Sequence, residues 1–343
     1  MYSKLKRIIR RTSNLFRPSA VILLYHRVSD EGLDPQLLCV SRRNFAAQMA
    51  QLRKEYNVIS LQELSDDIGR GIVPRGAVAV TFDDGYRDNL TCARPVAEEY
   101  GIPATVFVST GYIGENREFW WDDLERAILS PAALPPSLRL EIAGKTYSRE
   151  LGGAPGGEEG AKQPAGWNVL NKKPDSGRQR AYRELHALFL KLDADERFKA
   201  LGDLCAWAGV PLSCRPDHLP LNEGEIRSLA EGGLIDIGSH GCSHSNLAAQ
   251  SREVQAQEIA GSKRRLEDIL GRPVTSFAYP FGGRHDITGD ISALVKDSGY
   301  RSACINVPVS VRAGTDPFLL GRHIARDWGI EEFSSRLRGL FYE

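Results

Sequence analysis

The feature that most constrains this chain is a set of short apolar runs, each ending in a polar or charged cluster. They are VILLYH (21–26), AVAVTFDD (77–84), ATVFVST (104–110), LIDIGSH (234–240), SFAYPFG (276–282) and YRSACIN (300–306). Runs of this length with little alternation suit strands buried on both faces. Weaker strand patterns stand at residues 56–60 and 318–323. Helical patterns separate them. Phe45, Met49 and Leu52 mark one helix, and a second follows Asp88 and stops at Gly101, just before Pro103. A third starts near Ser251, turns Val254, Ile259, Leu266 and Ile269 to one side, and stops at Gly271 with Pro273 behind it. Strands alternating with helices predict a parallel α/β fold. Seven or eight strands favour a deformed or incomplete (β/α) TIM-like barrel over an open sheet.

One region breaks this rhythm. Residues 131–178 are rich in Pro and Gly, with a hairpin pattern of Leu138, Leu140 and Ile142 running into Ala143-Gly144. A helical stripe follows at Leu185, Leu188, Phe189 and Leu192, then a capping-box pattern at Asp193 and Glu196. The expected organisation is a basic N-terminal arm over residues 1–18 and a barrel over 19–343, with an insertion at about 115–220. The arm carries Lys4, Lys6, Arg7, Arg10, Arg11 and Arg17 with no acidic residue, and Leu5, Ile8, Ile9 and Phe16 fall at helical spacing. Such a segment suits peripheral contact with an anionic membrane surface. Over the whole chain 44 basic residues balance 44 acidic ones, so bulk charge points to no nucleic-acid partner. The run AVILLY (20–25) is far below membrane-spanning length and has no cleavage pattern after it. Six scattered cysteines with no C-x-x-C pair suit reduced thiols. The expectation is a cytoplasmic protein, peripheral at the inner face of the membrane if the arm binds there.

In a parallel barrel, chemistry sits at the C-terminal ends of the strands. The run at 77–82 ends in Asp83-Asp84, that at 234–239 in His240 with His244 four residues on, and that at 21–25 in His26. The run at 276–280 leads through Tyr279 and Pro280 to Phe281 and Gly282. Two imidazoles and a carboxylate are a common ligand set for a divalent ion, provided the segment between the histidines turns helically. Successive strand side chains point to opposite sides, so one aspartate can bind metal while the other faces substrate. Trp120 and Trp121 offer either a stacking platform for sugar rings or an apolar anchor for the insertion.

TFDDG, followed far downstream by SHGCSH and FAYPFG, resembles the polysaccharide deacetylase family, the NodB-homology or carbohydrate esterase four fold, from about Val21 to His323. The resemblance implies a general base at Asp83 and one divalent metal, zinc first and cobalt, nickel or iron as alternatives, on Asp84, His240 and His244. It implies an oxyanion donor at the Phe281 backbone N–H, and Tyr279, Pro280 and Gly282 beside the substrate. The acid is expected at His26, as in the subgroup whose acid-bearing strand comes first, with His323 as the alternative. The implied activity is de-N-acetylation of an amino sugar in a cell-surface polysaccharide or a lipid-linked saccharide. Two departures stand out. The arginine expected before the third motif is missing from Phe277-Ala278-Tyr279, and Gly241 stands where Ser or Thr is usual. Two other classes compete: a carbohydrate-binding protein on an inactive scaffold, and a glycoside hydrolase with paired carboxylates. Adjacent aspartates suit the latter poorly, because that chemistry needs carboxyl groups on opposite sides of the bond.

Overall fold

The strand Ser19–Tyr25 (β1) is buried along its whole length, and its residues divide cleanly between two cores. Ala20 and Ile22 belong to one apolar cluster, whereas Val21, Leu23 and Tyr25 belong to the other. The same parity recurs on Ala77–Phe82 (β2): Ala77 and Ala79 join the first cluster, Val78, Val80 and Phe82 the second. A strand covered on both faces explains why these runs read as continuously apolar. The structure, a computed structural model, describes residues 18–30, 32–152, 166–171 and 176–342. The predicted basic arm therefore lies, but for residue 18, outside the described residues.

Four further strands follow in register: Ala104–Val108 (β3), Ile235–Ser239 (β4), Ser276–Ala278 (β5) and Ser302–Ile305 (β6). All pair in parallel in the order β1-β2-β3-β4-β5-β6. The ring closes through two very short strands, Leu320–Gly321 (β7) and His323–Ile324 (β8). β7 pairs with β6, and β8 pairs with β1. Arg322 sits between them, at the seam of the nearly closed barrel. The inner cluster is the barrel's core, with Ala20, Ile22, Ala79, Phe107, Ala278 and Cys304. Ile59, Leu61 and Leu64 join it after the short strand Asn57–Val58, which pairs with the start of β2. The outer cluster packs the strands against helices such as Arg42–Glu55 and Ile330–Leu340.

The strand pattern at 56–60 is realised over two residues only, and that at 318–323 as two two-residue pieces. The long helix from Ser251 is three segments, Arg252–Ala256, a π-helical turn Gln257–Gly261, and Ser262–Leu270. Among the described residues, no helix is long and apolar enough to cross a membrane.

A second compact unit comprises Glu31–Leu37 and Gly114–Pro220. It holds the hairpin Ser137–Ile142 with Lys145–Glu150, and the helices Trp120–Ile128, Gly177–Phe189 and Ala194–Ala208. Several of its buried charges are paired within the unit. Arg215 bonds Glu118 (2.8 Å) and Glu125 (2.8 Å), and Arg126 pairs with Asp123.

Candidate active site

The side-chain parity of β2 carries on past its end. Ala77, Ala79 and Thr81 point inward, and Asp83 is next in that series, so its carboxylate enters the barrel mouth. Asp84 would face outward, but its backbone takes a left-handed conformation (φ 73°), as does Gly85 after it (φ 84°). A tight turn, Gly85 N–H to Asp83 C=O at 3.0 Å, then brings Asp84 round to the same mouth. Gly85 is required twice over: its φ suits glycine, and a Cβ would stand 3.1 Å from Val108 Cγ1.

The two histidines approach from β4. The His240 amide continues the ladder to Val108 O (3.0 Å). Its Nδ1–H donates to the Ala278 carbonyl (2.8 Å), which leaves the Nε2 lone pair facing the aspartates. Asp84 Oδ1 lies 3.2 Å from His244 Nε2 and 3.7 Å from His240 Nε2. The segment joining the histidines is a loop, not the helical turn expected. Left-handed residues at Gly241 (φ 73°) and His244 (φ 51°) make it double back. Among the described residues, Asp84, His240 and His244 form the one cluster able to hold a cation, with ligand atoms within 4.8 Å of one another.

The two aspartates live in opposite electrostatic states. Arg322 clamps Asp83 with two parallel bonds, Nη1–Oδ1 at 2.6 Å and Nη2–Oδ2 at 2.7 Å. Burial opposes the Asp83 charge, but Arg322 and then His240 hold its carboxyl well below the usual carboxylate range. Asp84 is 2% exposed, and burial pushes it up to about 6 against the pull of His26 and His240. Its Oδ1 is buried and accepts no hydrogen bond. A carboxylate oxygen left bare between two imidazole nitrogens, one of them in a fixed tautomer, fits a divalent cation of the zinc, cobalt, nickel or iron type. Burial likewise lowers the His240 imidazole, keeping it neutral as a ligand must be.

Phe281 (φ 62°) and Gly282 (φ 59°) form the facing loop. The Phe281 ring lies 4.7 Å from that of His244, edge to face. Gly282 bonds back to Pro280 O (2.7 Å) and accepts from Asn306 N (2.8 Å); a Cβ there would stand 2.8 Å from that nitrogen. Of the five non-glycine residues with positive φ among the described residues, three are Asp84, His244 and Phe281. Backbone strain therefore gathers at this mouth. His26 is half-buried; burial lowers its imidazole pKa while Asp84 and Asp83 raise it, and Asn89 Nδ2 donates to its carbonyl at 2.8 Å.

Several expectations need correction. His323 is buried on β8, bonds Ser310 Oγ at 3.2 Å, and is pushed down to about 4 by burial; it is no candidate acid. Its neighbour Arg322 faces Asp83 because adjacent strand residues point opposite ways. Tyr279 directs its hydroxyl to Phe318 O (3.2 Å) and its ring to Phe277 in the outer core, so its side chain is not a substrate contact. Trp120 and Trp121 are 1% and 5% exposed, with Trp120 against His186 and Phe189 of the second unit. They anchor that unit and present no face to a sugar. The arginine absent from the third motif is supplied by Arg322, which the sequence reading missed. The available signal was an arginine beside His323 in a segment already read as a strand.

The family model "Polysaccharide deacetylase" matches residues 70–134 and 206–303, the two stretches that hold Asp83, Asp84, His240, His244 and Phe281. The chain belongs to the polysaccharide deacetylase family. Among curated family relatives, YxkH of Bacillus subtilis is 36% identical over 97 residues, 28% of this chain and 33% of that one. The poly-beta-1,6-N-acetyl-D-glucosamine N-deacetylase of Escherichia coli is 31% identical over 86 residues, 24% of this chain and 13% of that one. Its Staphylococcus aureus namesake is 29% identical over 111 residues, 29% and 38% of the two chains. The aligned stretches thus span no more than 38% of these deacetylase relatives. Two solved structures share the fold. Streptococcus pyogenes deacetylase PplD in complex with acetate has a TM-score of 0.58 at 15% identity, covering 94% of this chain and 99% of that one. IcaB from Ammonifex degensii has 0.55 at 18% identity, covering 95% and 98%.

Proposed function

We propose that this protein is a metal-dependent hydrolase that removes N-acetyl groups from an amino sugar in a polysaccharide or lipid-linked saccharide. The observation that carries the reading is the division of labour between adjacent aspartates. Asp83 is held ionised by Arg322, and the Oδ1 of Asp84 is left bare against two imidazoles. Asp84, His240 and His244 would hold the cation, which when bound would supply Lewis-acid polarisation of the acyl oxygen and a more acidic water.

The remaining steps belong to the chain's own groups. Asp83 takes a proton from the water as its oxygen attacks the carbonyl carbon. The Phe281 N–H donates to the oxygen on which charge develops. His26 delivers a proton to the sugar nitrogen as the C–N bond breaks. Acetate and a free amine are released. All six cysteines are free thiols, which supports a reducing compartment such as the cytoplasm.

The test is acetate release from a panel of N-acetylated sugars, soluble and lipid-linked, after stripping the cation and restoring it. Cation-dependent acetate is the expected result. Glycan binding without acetate from any panel member would move the protein to the binding class, and shortened oligosaccharides would move it to the glycoside hydrolases.

A further inference from the structure

Between the two histidines the loop has no ladder or helix to satisfy its backbone, so its hydrogen bonds must come from elsewhere. Its carbonyls are met by one neighbour: Thr110 N–H donates to Gly241 O (3.0 Å) and Gly111 N–H to Cys242 O (2.8 Å). The N–H groups of Cys242 and Ser243 are met by a single side chain. The Glu258 carboxyl group accepts from Cys242 N at 2.8 Å, from Ser243 N at 2.9 and 3.2 Å, and from Ser243 Oγ at 2.7 Å. Glu258 is 6% exposed. It projects from the π-helical turn Gln257–Gly261, an irregularity that often marks functional positions.

We infer that Glu258 is the positioning residue for the cation ligands, setting the spacing of His240 and His244 by fixing the loop between them. The inference rests on the reading of Asp84, His240 and His244 as a cation site. It also accounts for Gly241. A Cβ at that position would stand 3.0 Å from Glu258 Oε2. The space a Ser or Thr side chain would enter is filled by the carboxyl group, which does the loop-holding from outside. Residues that orient ligands in this way govern affinity for the ion.

The test is titration of the metal-stripped protein with Zn²⁺ against a chromophoric chelator, for wild type, Glu258→Gln and Ser243→Ala. Glu258→Gln keeps the shape but turns an amide N–H towards backbone donors. Its Zn²⁺ Kd should rise about ten- to hundredfold, with the metal-free protein still folded, its melting temperature lowered by the amide facing backbone donors, and kcat recovered at saturating Zn²⁺. Ser243→Ala loses the hydroxyl bond to Glu258, along with the Ser243 Oγ–Ser245 Oγ bond at 2.6 Å, and should show a smaller rise, no more than about tenfold. Wild-type affinity in both variants overturns the inference while leaving the cation site standing. So does a Glu258→Gln protein that no longer folds, paired with Ser243→Ala at wild-type affinity, since Glu258 is then structural alone. A wild type that binds no Zn²⁺ overturns the inference and the reading beneath it together.

Discussion

Two regions of this molecule bury several carboxylates each, and they treat them oppositely. In the second unit, Glu118 is 1% exposed and meets Arg215 through both oxygens and the Arg215 amide. At the barrel mouth, Asp84 is 2% exposed and its Oδ1 accepts nothing. Burial is equal, so burial alone does not mark a functional acid. What differs is compensation. A buried charge neutralised by the chain itself serves architecture, whereas one left uncompensated between two imidazoles is poised for a cation.

The strongest way to break this comparison is at Asp83, which shares features of both regions: paired like Glu118, yet at the mouth. Asp83→Asn should cut acetate release about 10²- to 10⁴-fold while leaving Zn²⁺ affinity intact; lost Zn²⁺ binding would make Asp83 a ligand rather than a base. Glu118→Gln should cost about 3 kcal/mol, at the low end for a broken buried pair because Arg215 keeps Glu125. Denaturant unfolding reads it, and no change would make the second cluster energetically idle. Arg322→Lys cannot hold both Asp83 oxygens in a fork. Activity should fall roughly ten- to hundredfold with the fold retained, measured as kcat on the best panel substrate.

Asp84→Asn should do the reverse of Glu118→Gln. Removing an uncompensated charge should raise the melting temperature of the metal-free protein by a few degrees and abolish the shift that added Zn²⁺ produces. A lower melting temperature would show that Asp84 has an internal partner after all. The smallest effect concerns Asp123, whose carboxyl burial pushes up to about 6 from 3.8, with Arg126 opposing. The folded state then holds a proton that the unfolded chain releases, so the stability Asp123 contributes is full below about pH 4 and fades as pH rises through 6. Asp123→Asn should flatten that slope in melts taken from pH 4 to 7.

Much of this was legible in the sequence. Most of the six principal strands are apolar runs because both faces are covered, and Asp83, His240 and His26 stand at the ends of such runs. What stayed hidden was what has no run to announce it. β7 and β8 are two residues each, too short for a pattern, so Arg322 between them was passed over for His323. The direction of Tyr279 was hidden for a related reason: an aromatic residue at a strand end reads the same whether its ring faces mouth or helix layer. Trp120 and Trp121 likewise looked equally suited to a sugar or to a core. The convergence of His240 and His244 was anticipated, but through a helical turn. The left-handed residues at Gly241 and His244 that achieve it leave only a glycine as a trace.

The clamp on Asp83 also sets an order in time. Asp83 and Arg322 are separated by 239 positions, and the seam they join is sealed by nearly the last strand of the barrel. At ordinary rates of synthesis, Arg322 leaves the ribosome about 10–50 s after Asp83. Throughout that interval Asp83 lacks the Arg322 guanidinium, and the ring that would shelter it is open between β6 and β1. The nascent chain can shape the cation cluster early, since Asp84, His240 and His244 all precede the seam. Asp83 gains its counter-ion only when the barrel locks, so closure of the ring and pairing of this carboxylate are one event.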